Sequence, residues 1–300
     1  MIEFDKFTAG LIRTVTMGIF TTNQTKPDVS VVILTKNSAR TIERCLRSVF
    51  EEDPAEIVVV DASSTDGTLS VLRRYDVRVL SDDARSLASA RQLGVEAVGG
   101  KYVMFVDSDV ELVPGSIDKL KIELEKFGWA AIHARIIGRS NSTYWERAEN
   151  DKFAMFFNQP GPHGHIGTIA ALYRRDLLLE HPFDPDFVES AEDTDVCQRL
   201  GRDHYVVGVS TATAYHSHRA DLRAFFKQRL NYGKGWARFA FKYGLTIMLA
   251  RPLRDAFICM MKSSIKGKVQ YIPYWFVDGF AQFIGVMQLV SSRHLEDRAS

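Results

Sequence analysis

The sequence predicts an α/β fold, a mainly parallel sheet with helices on both faces, followed by a C-terminal helical region. Two observations carry this. Short apolar runs, VSVVILT (29–35), EIVVV (56–60), VRVL (77–80) and YVMFV (102–106), alternate with stretches of helical periodicity, which is the signature of βαβ units. Most of these runs are apolar throughout rather than alternating, as strands covered on both faces require.

Each element follows in order. Residues 1–20 place Phe4, Phe7, Leu11, Ile12, Val15 and Ile19 at helical spacing, and the polar TTNQTKPD (21–28) ends that amphipathic helix as a linker. After the first strand, Ile42, Leu46, Val49 and Phe50 share one stripe of a helix over about 39–52. DGTLSVLRRY opens a second helix and RSLASARQLGVEAV (85–98) forms a third. Beyond residue 110 the rhythm loosens. VPGSIDKLKIELEKF starts a helix at a proline, AAIHARIIG is a strand, STYWERAENDKFAMFF is helical, and QPGPHGHIG (159–167) is a loop. TIAALY is a strand, ESAEDTDVCQRL starts a helix, and YVVGV and TATAYH are expected as two short strands. Helices are expected over 221–243, about 252–266 and about 272–290. This divides the chain into an N-terminal helix and linker (1–28), an α/β domain (29–220) and a helical region (221–300).

Composition excludes several classes. The chain has 300 residues, 46% hydrophobic and 25% charged, which is globular rather than disordered or fibrous. Its net charge of +1 gives no global basic field, so no nucleic-acid partner is expected. Cys45, Cys197 and Cys259 form neither a zinc spacing nor a disulfide framework. The N-terminus shows no cleavable signal pattern, so a cytoplasmic, reducing compartment is expected. No G-x-G-x-x-G follows the first strand and no P-loop is present, which argues against a nicotinamide dehydrogenase and a P-loop NTPase.

Charge is unevenly spread. Residues 221–300 hold 13 Lys/Arg against 5 Asp/Glu, a balance of +8, so the remaining residues carry −7. The same stretch holds 14 of the 33 aromatic residues. A basic, aromatic helical region suits the interface of an anionic membrane. Residues 272–290 contain Asp278, Gln282 and Gln288, so helices lying in the interface are expected rather than a spanning segment. The chain is accordingly expected to be peripheral at the cytoplasmic face of the cell membrane.

In open α/β sheets, ligands bind beyond the carboxyl ends of the strands. The first strand ends in Thr35-Lys36-Asn37, the second in Asp61-Ala62-Ser63-Ser64 and the fourth in Asp107-Ser108-Asp109. Two carboxylates one residue apart are costly to bury alone but suit a hard divalent cation, Mg²⁺ or Mn²⁺, shared with phosphates. Asp61 is suited to accept hydrogen bonds from a base or ribose. At ESAEDTD the helix start favours ionised carboxylates at Glu192 and Asp193.

The segments VSVVILTKNSARTIERCLRSV, VVVDASSTDGT, SLASARQLGVEAVGGKYVMFVDSDVEL and ESAEDTDVCQRL, in this order over roughly 29–218, resemble the family-2 glycosyltransferases of GT-A fold. The resemblance implies a metal-dependent, inverting transferase of nucleotide sugars. It implies base contact by Asp61, with Thr35 and Asn37 also on the donor side. Asp107 and Asp109 match the donor and metal D-x-D. Arg91 falls near the diphosphate or sugar, and His216 completes the metal site. Asp193 is the implied catalytic base, with Glu192 as the other candidate. The donor is expected to be a UDP-sugar first and a GDP-sugar next, and the acceptor a lipid-linked or growing glycan. The chain departs from the family pattern at Ala62-Ser63-Ser64, where D-D-G-S is common, at Gln92 for asparagine and at His181 for glycine. A soluble polysaccharide or protein glycosyltransferase, a sugar-phosphate nucleotidyltransferase and a non-catalytic nucleotide-sugar-binding scaffold are the alternatives.

Overall fold

The computed structural model describes residues 28–83 and 85–299, with side chains to 293. The helix expected over residues 1–20 and nearly all of its linker lie outside the described residues. The order is β1 (Val29–Thr35), α1 (Ile42–Phe50), β2 (Glu56–Asp61), α2 (Thr68–Leu72), β3 (Arg78–Ser81), α3 (Leu87–Ala97), β4 (Tyr102–Asp107), β5 (Val110–Leu112) and α4 (Ser116–Phe127). It continues through β6 (Ala131–Gly138), α5 (Tyr144–Phe156), β7 (Gly161–His163), β8 (Ala170–Arg174), α6 (Arg175–Glu180), α7 (Glu192–Arg202) and β9 (Val207–His216). Three long helices follow: α8 (Leu222–Lys242), α9 (Arg251–Ile265) and α10 (Ile272–Ala299).

The strands form one sheet in the order β3-β2-β1-β4-β8-β6-β9-β5, with β7 on β9. Strands β3, β2, β1 and β4 are parallel, and β8 joins β4 antiparallel. Strand side chains alternate between faces. Val31 and Ile33 meet Ile42, Leu46 and Val49 of α1 and Leu120 and Leu124 of α4 on one face. Val32, Val58 and Val60 meet Ala88 and Val95 of α3, Val196 and Leu200 of α7 and Phe239 of α8 on the other. β3 is the edge strand and is largely exposed, which its short, mixed sequence explains.

Two local readings are corrected. YVVGV and TATAYH fall in one strand, β9, because it pairs with β6 on both sides of a register irregularity between His133 and Arg135, where Val209 and Thr213 are the last and first partners. QPGPHGHIG is not all loop: Gly161–His163 pairs antiparallel with β9. α10 also runs beyond residue 290, to Ala299.

The C-terminal helices pack by backbone proximity. A Cβ on Gly233 would collide with the carbonyl of Gln282, and one on Gly285 with the carbonyl of Leu230, so α8 and α10 touch through glycines. Inside this contact Arg229 is fully buried. It is bound to Glu149 of α5 and, at 2.5 Å, to Asp278 of α10. Lys152 reaches Asp278 at 3.0 Å and the Tyr274 hydroxyl donates to Glu149 at 2.5 Å. Burial works to raise the Glu149 carboxyl, but Arg229, Lys152 and the Tyr274 hydroxyl outweigh it and hold it at about 2.

Candidate active site

The sheet register brings the predicted residues to one edge. Thr35 pairs with Asp61 across β1 and β2, and Leu34 pairs with Asp107 across β1 and β4, so three strands end level. The loops beyond them are tied together. Asn37 sits in the left-handed region (φ 52°), its amide donates to Ser64 Oγ at 2.8 Å, and its Oδ1 accepts from the Thr65 amide at 2.8 Å. Asn37 therefore shapes the loop after β2. Ser38 Oγ and Ser108 Oγ lie 2.7 Å apart, which ties the first loop to the Asp107-Ser108-Asp109 turn.

Between these loops lie two unsatisfied groups. Asp61 Oδ2 accepts from the Ser64 amide at 2.9 Å, but its buried Oδ1 has no hydrogen-bond partner among the described residues. Thr35 Oγ1, on the register partner, is in the same condition. Buried polar atoms without partners are costly, so this pair is a place for a ligand's donor groups.

Arg91, on α3, is 3% exposed. Its Nη2 lies 3.5 Å from Asp107 Oδ1 and its Nη1 2.6 Å from Glu192 Oε1, so one guanidinium bridges the end of β4 and the start of α7. Burial pushes the Asp107 carboxyl up to about 6, with Asp109 adding to the rise and Arg91 opposing it. Burial also works to raise Asp109, but His216 and Arg219 outweigh it and hold it at about 2. His216 Nε2 is 3.3 Å from Asp109 Oδ1, and Arg219 Nη1 is 3.3 Å from Asp109 Oδ2. His216 Nδ1 faces His218 Nδ1 at 2.9 Å, and His218 Nε2 faces Asn150 Oδ1 at 3.1 Å. Burial and the charge on His216 push His218 down to about 4, which keeps it neutral. Its Nε2–H then donates to Asn150 and its Nδ1 accepts from His216.

Among the described residues no group of three or more His, Cys, Asp or Glu side chains is arranged so that it could hold a metal ion. The chemistry of the donor set nonetheless fits a divalent cation: Asp109 and His216 already meet, and Asp107 stands one residue away with its carboxyl destabilised by burial. An open set of this kind leaves coordination positions for phosphate oxygens.

The start of α7 divides its acids among different tasks. Burial pushes the Glu192 carboxyl up to about 7, against the pull of Arg91. Desolvation and the neighbouring Asp193 thus work against the ionisation of Glu192 that the helix start and Arg91 favour. Asp195 is fully buried and bound by Arg199, Lys242 and Tyr243. Asp193 has no ion-pair partner among the described residues. Its Oδ1 accepts from the Thr194 amide at 2.6 Å. Its Oδ2 would be 3.7 Å from a Cβ placed on Gly167, and His133 Nε2 3.9 Å from the same point.

Several groups of the site carry no motif. His133 is 3% exposed, its Nε2 is unpartnered among the described residues, and burial pushes it down to about 3, so the ring is neutral. Its signal was a polar residue inside the apolar run AIHARIIG. Gly167 signals itself only as the small residue before β8. Arg219 and Asn150 have no local signature. His163, in β7, is bound to the Gln159 carbonyl at 2.7 Å, and His181 lies 3.4 Å from Asp203, both away from the strand-end carboxylates in their contacts.

The sequence profile described as glycosyl transferase family 2 matches residues 30–181. The uncharacterized glycosyltransferase YibD of Escherichia coli is 30% identical over 173 residues, 51% of this chain and 50% of that protein. Glycosyltransferase AglE of Haloferax volcanii is 32% identical over 95 residues, 28% of this chain and 31% of that protein. The matched part thus spans about a third to a half of the length of the curated relatives. The crystal structure of S. aureus TarS 1-349 superposes with a TM-score of 0.51 at 17% identity, over 90% of this chain and 92% of that one, which shows a shared GT-A fold. With the profile covering half of the chain, including the strand ends that carry Thr35, Asp61 and Asp107, the protein belongs to glycosyl transferase family 2.

Proposed function

We propose that the protein transfers a sugar, with inversion, from a nucleoside-diphosphate sugar to a hydroxyl or phosphate of a lipid-linked acceptor or growing glycan. The observation that carries this reading is the convergence, at one sheet edge, of two unsatisfied buried acceptors (Thr35, Asp61), a carboxylate pair (Asp107, Asp109) and a buried arginine (Arg91). Asp61 and Thr35 take the N–H and O–H groups of the nucleoside, UDP first and GDP next, with Asn37 shaping their loop. Asp107, Asp109 and His216 would hold Mg²⁺ or Mn²⁺, which when bound offsets the charge of the departing diphosphate. Arg91 supplies a fixed positive charge to the same oxygens and is held in place by Asp107 and Glu192.

Asp193 takes the proton of the acceptor hydroxyl, and attack from the face opposite the diphosphate inverts the anomeric carbon. Its freedom from ion pairs supports this role. Glu192, committed to Arg91, is the positioning group. Gly167 leaves the space beside Asp193 open to a hydroxyl, and neutral His133 offers a second polar contact there. The test is a thermal shift with UDP and GDP in the presence of Mn²⁺. A ligand at 100 times its dissociation constant adds about 2.7 kcal/mol of stability. Absence of any shift with either nucleotide, with and without metal, overturns the reading.

A further inference from the structure

The long apolar helices leave a surface that the fold itself does not cover. α9 and α10 are antiparallel: Trp275 Nε1 donates to Ser263 Oγ, whereas Gly279, one turn later, faces Ala256 and Pro252, about two turns earlier. Pro252, Ala256 and Ser263 of α9 and Trp275 and Gly279 of α10 therefore form the buried seam, and the buried Val286 lies two turns further along the same face of α10. In two antiparallel helices, residues one position beyond each seam point to the same side, because both rotate by about 100° per residue in the same sense about opposed axes. Those residues are Leu253 and Phe257 on α9 and Phe276, Phe280 and Met287 on α10, and all are exposed. Met261 and Ile265 widen the arc on α9, with Ile265 81% exposed, and Ile247 just before α9 is 90% exposed. Phe276 and Phe280 stack at 5.8 Å and present one aromatic ledge.

This is a contiguous apolar face, larger than singly scattered surface residues. Its charge setting names the occupant. Residues 251–268 hold five Lys/Arg and one Asp. Arg251 and Arg254 pair with Asp255 and Lys268 with Asp151, while Lys262, over the Phe156 ring, and Lys266, each one residue past the apolar Met261 and Ile265, have no ion-pair partner among the described residues. No helix among the described residues is long and apolar enough to cross a membrane.

We propose that the α9–α10 face docks in the plane of an anionic lipid bilayer, with Phe257, Met261, Ile265 and Phe276 in the acyl boundary and Lys262 and Lys266 at the headgroups. A second protein of apolar surface would have no use for the surrounding positive charge. The inference explains how a lipid-linked acceptor is reached, but its evidence is independent of the donor site.

The experiment is co-sedimentation of the full chain with vesicles of phosphatidylglycerol and phosphatidylcholine, against phosphatidylcholine alone. Wild type is expected to partition to the anionic vesicles. The triple variant Phe257→Ser, Met261→Ser, Ile265→Ser is expected to lose at least about tenfold in partitioning. Lys262→Gln and Lys266→Gln are expected to lose about fivefold each, reduced by added salt. UDP-dependent stabilisation, measured on the same variants, stays unchanged, so failure of docking and failure of the transferase reading give different results. No partitioning of the wild type, or partitioning equal in wild type and triple variant, overturns the proposal. So does a concentration-dependent dimer that the triple variant dissolves, which would make a second copy the occupant.

Discussion

Residues 29–216 cohere through apolar strand side chains interleaved with helices on each face, whereas the helices from Leu222 onward cohere through a small aromatic cluster (Phe225, Tyr274, Trp275), glycine contacts and a buried ion network. In the first region charge is concentrated at one sheet edge, where Arg91, Asp107, Asp109 and Glu192 face a ligand's place. In the second, Arg229, Glu149, Asp278 and Lys152 pair with one another, and Tyr274, Gln228 and Gln282 supply further hydrogen bonds. Both regions bury carboxyl groups, but with different results: burial leaves Asp107 and Glu192 raised to about 6 and about 7, while Glu149 is held at about 2. The difference teaches that a saturated network stabilises and an undersaturated one waits for a ligand.

Substitutions can break or sharpen this contrast. The largest effect is expected at Asp193: Asp193→Asn should lower turnover, read as nucleoside diphosphate release, by about 10²–10⁴-fold while the UDP-induced thermal shift persists. Loss of the shift as well would place Asp193 in donor binding instead. Next, Arg229→Ala leaves Glu149 buried without its ion-pair partner and Asp278 with Lys152 alone, and should cost about 3–5 kcal/mol in denaturant unfolding. A change below 1 kcal/mol, on the order of a surface pair, would remove the network from the account.

The same network sets a pH dependence. Glu149 has a lower carboxyl pKa folded than unfolded, so its contribution is complete above about 4.5 and is lost as pH falls toward about 2. Melting temperature should therefore fall across that window in wild type and fall less steeply in Glu149→Gln. Identical slopes would contradict the assignment.

A smaller effect is expected at the glycine seam. Gly285→Ala sets a methyl against the Leu230 carbonyl, and overpacking of this kind costs about 1–3 kcal/mol. The smallest concerns acceptor access. Gly167→Ala meets only ordinary contacts, so the melting temperature should hold. The added methyl should raise the acceptor KM by about tenfold, within the range a single methylene exerts in a pocket. Unchanged acceptor kinetics would show that the gap beside Asp193 is not used.

Legibility in the sequence followed the range of the interactions. β1, β2 and β4 were readable because VSVVILT, EIVVV and YVMFV carry their own burial, and their terminal carboxylates stand at fixed offsets from them. Asp109 and His216 were readable through the family resemblance, but the relay onward to His218 and Asn150 was not, since Asn150 lies 68 residues from His218. Arg229 read as one basic residue in an aromatic helix; its partners lie 80 and 49 residues away, beyond any local pattern. β9 was divided because a register irregularity disrupts its alternation. At Glu192 the helix start was visible in the sequence, whereas the desolvation that opposes it was not.

One of the contacts that join the two regions is made at backbone distance. Ser190, two residues before Glu192, donates through its hydroxyl to the Asn231 carbonyl at 2.9 Å, and Gly235 of α8 abuts the Ser190 backbone with no space for a methyl. At this point no side chain of α8 lies between that helix and the segment leading into Glu192 and Asp193. A side chain at position 235 would therefore have to push α8 away from the segment that leads into α7, so the spacing of these two elements is set by backbone alone.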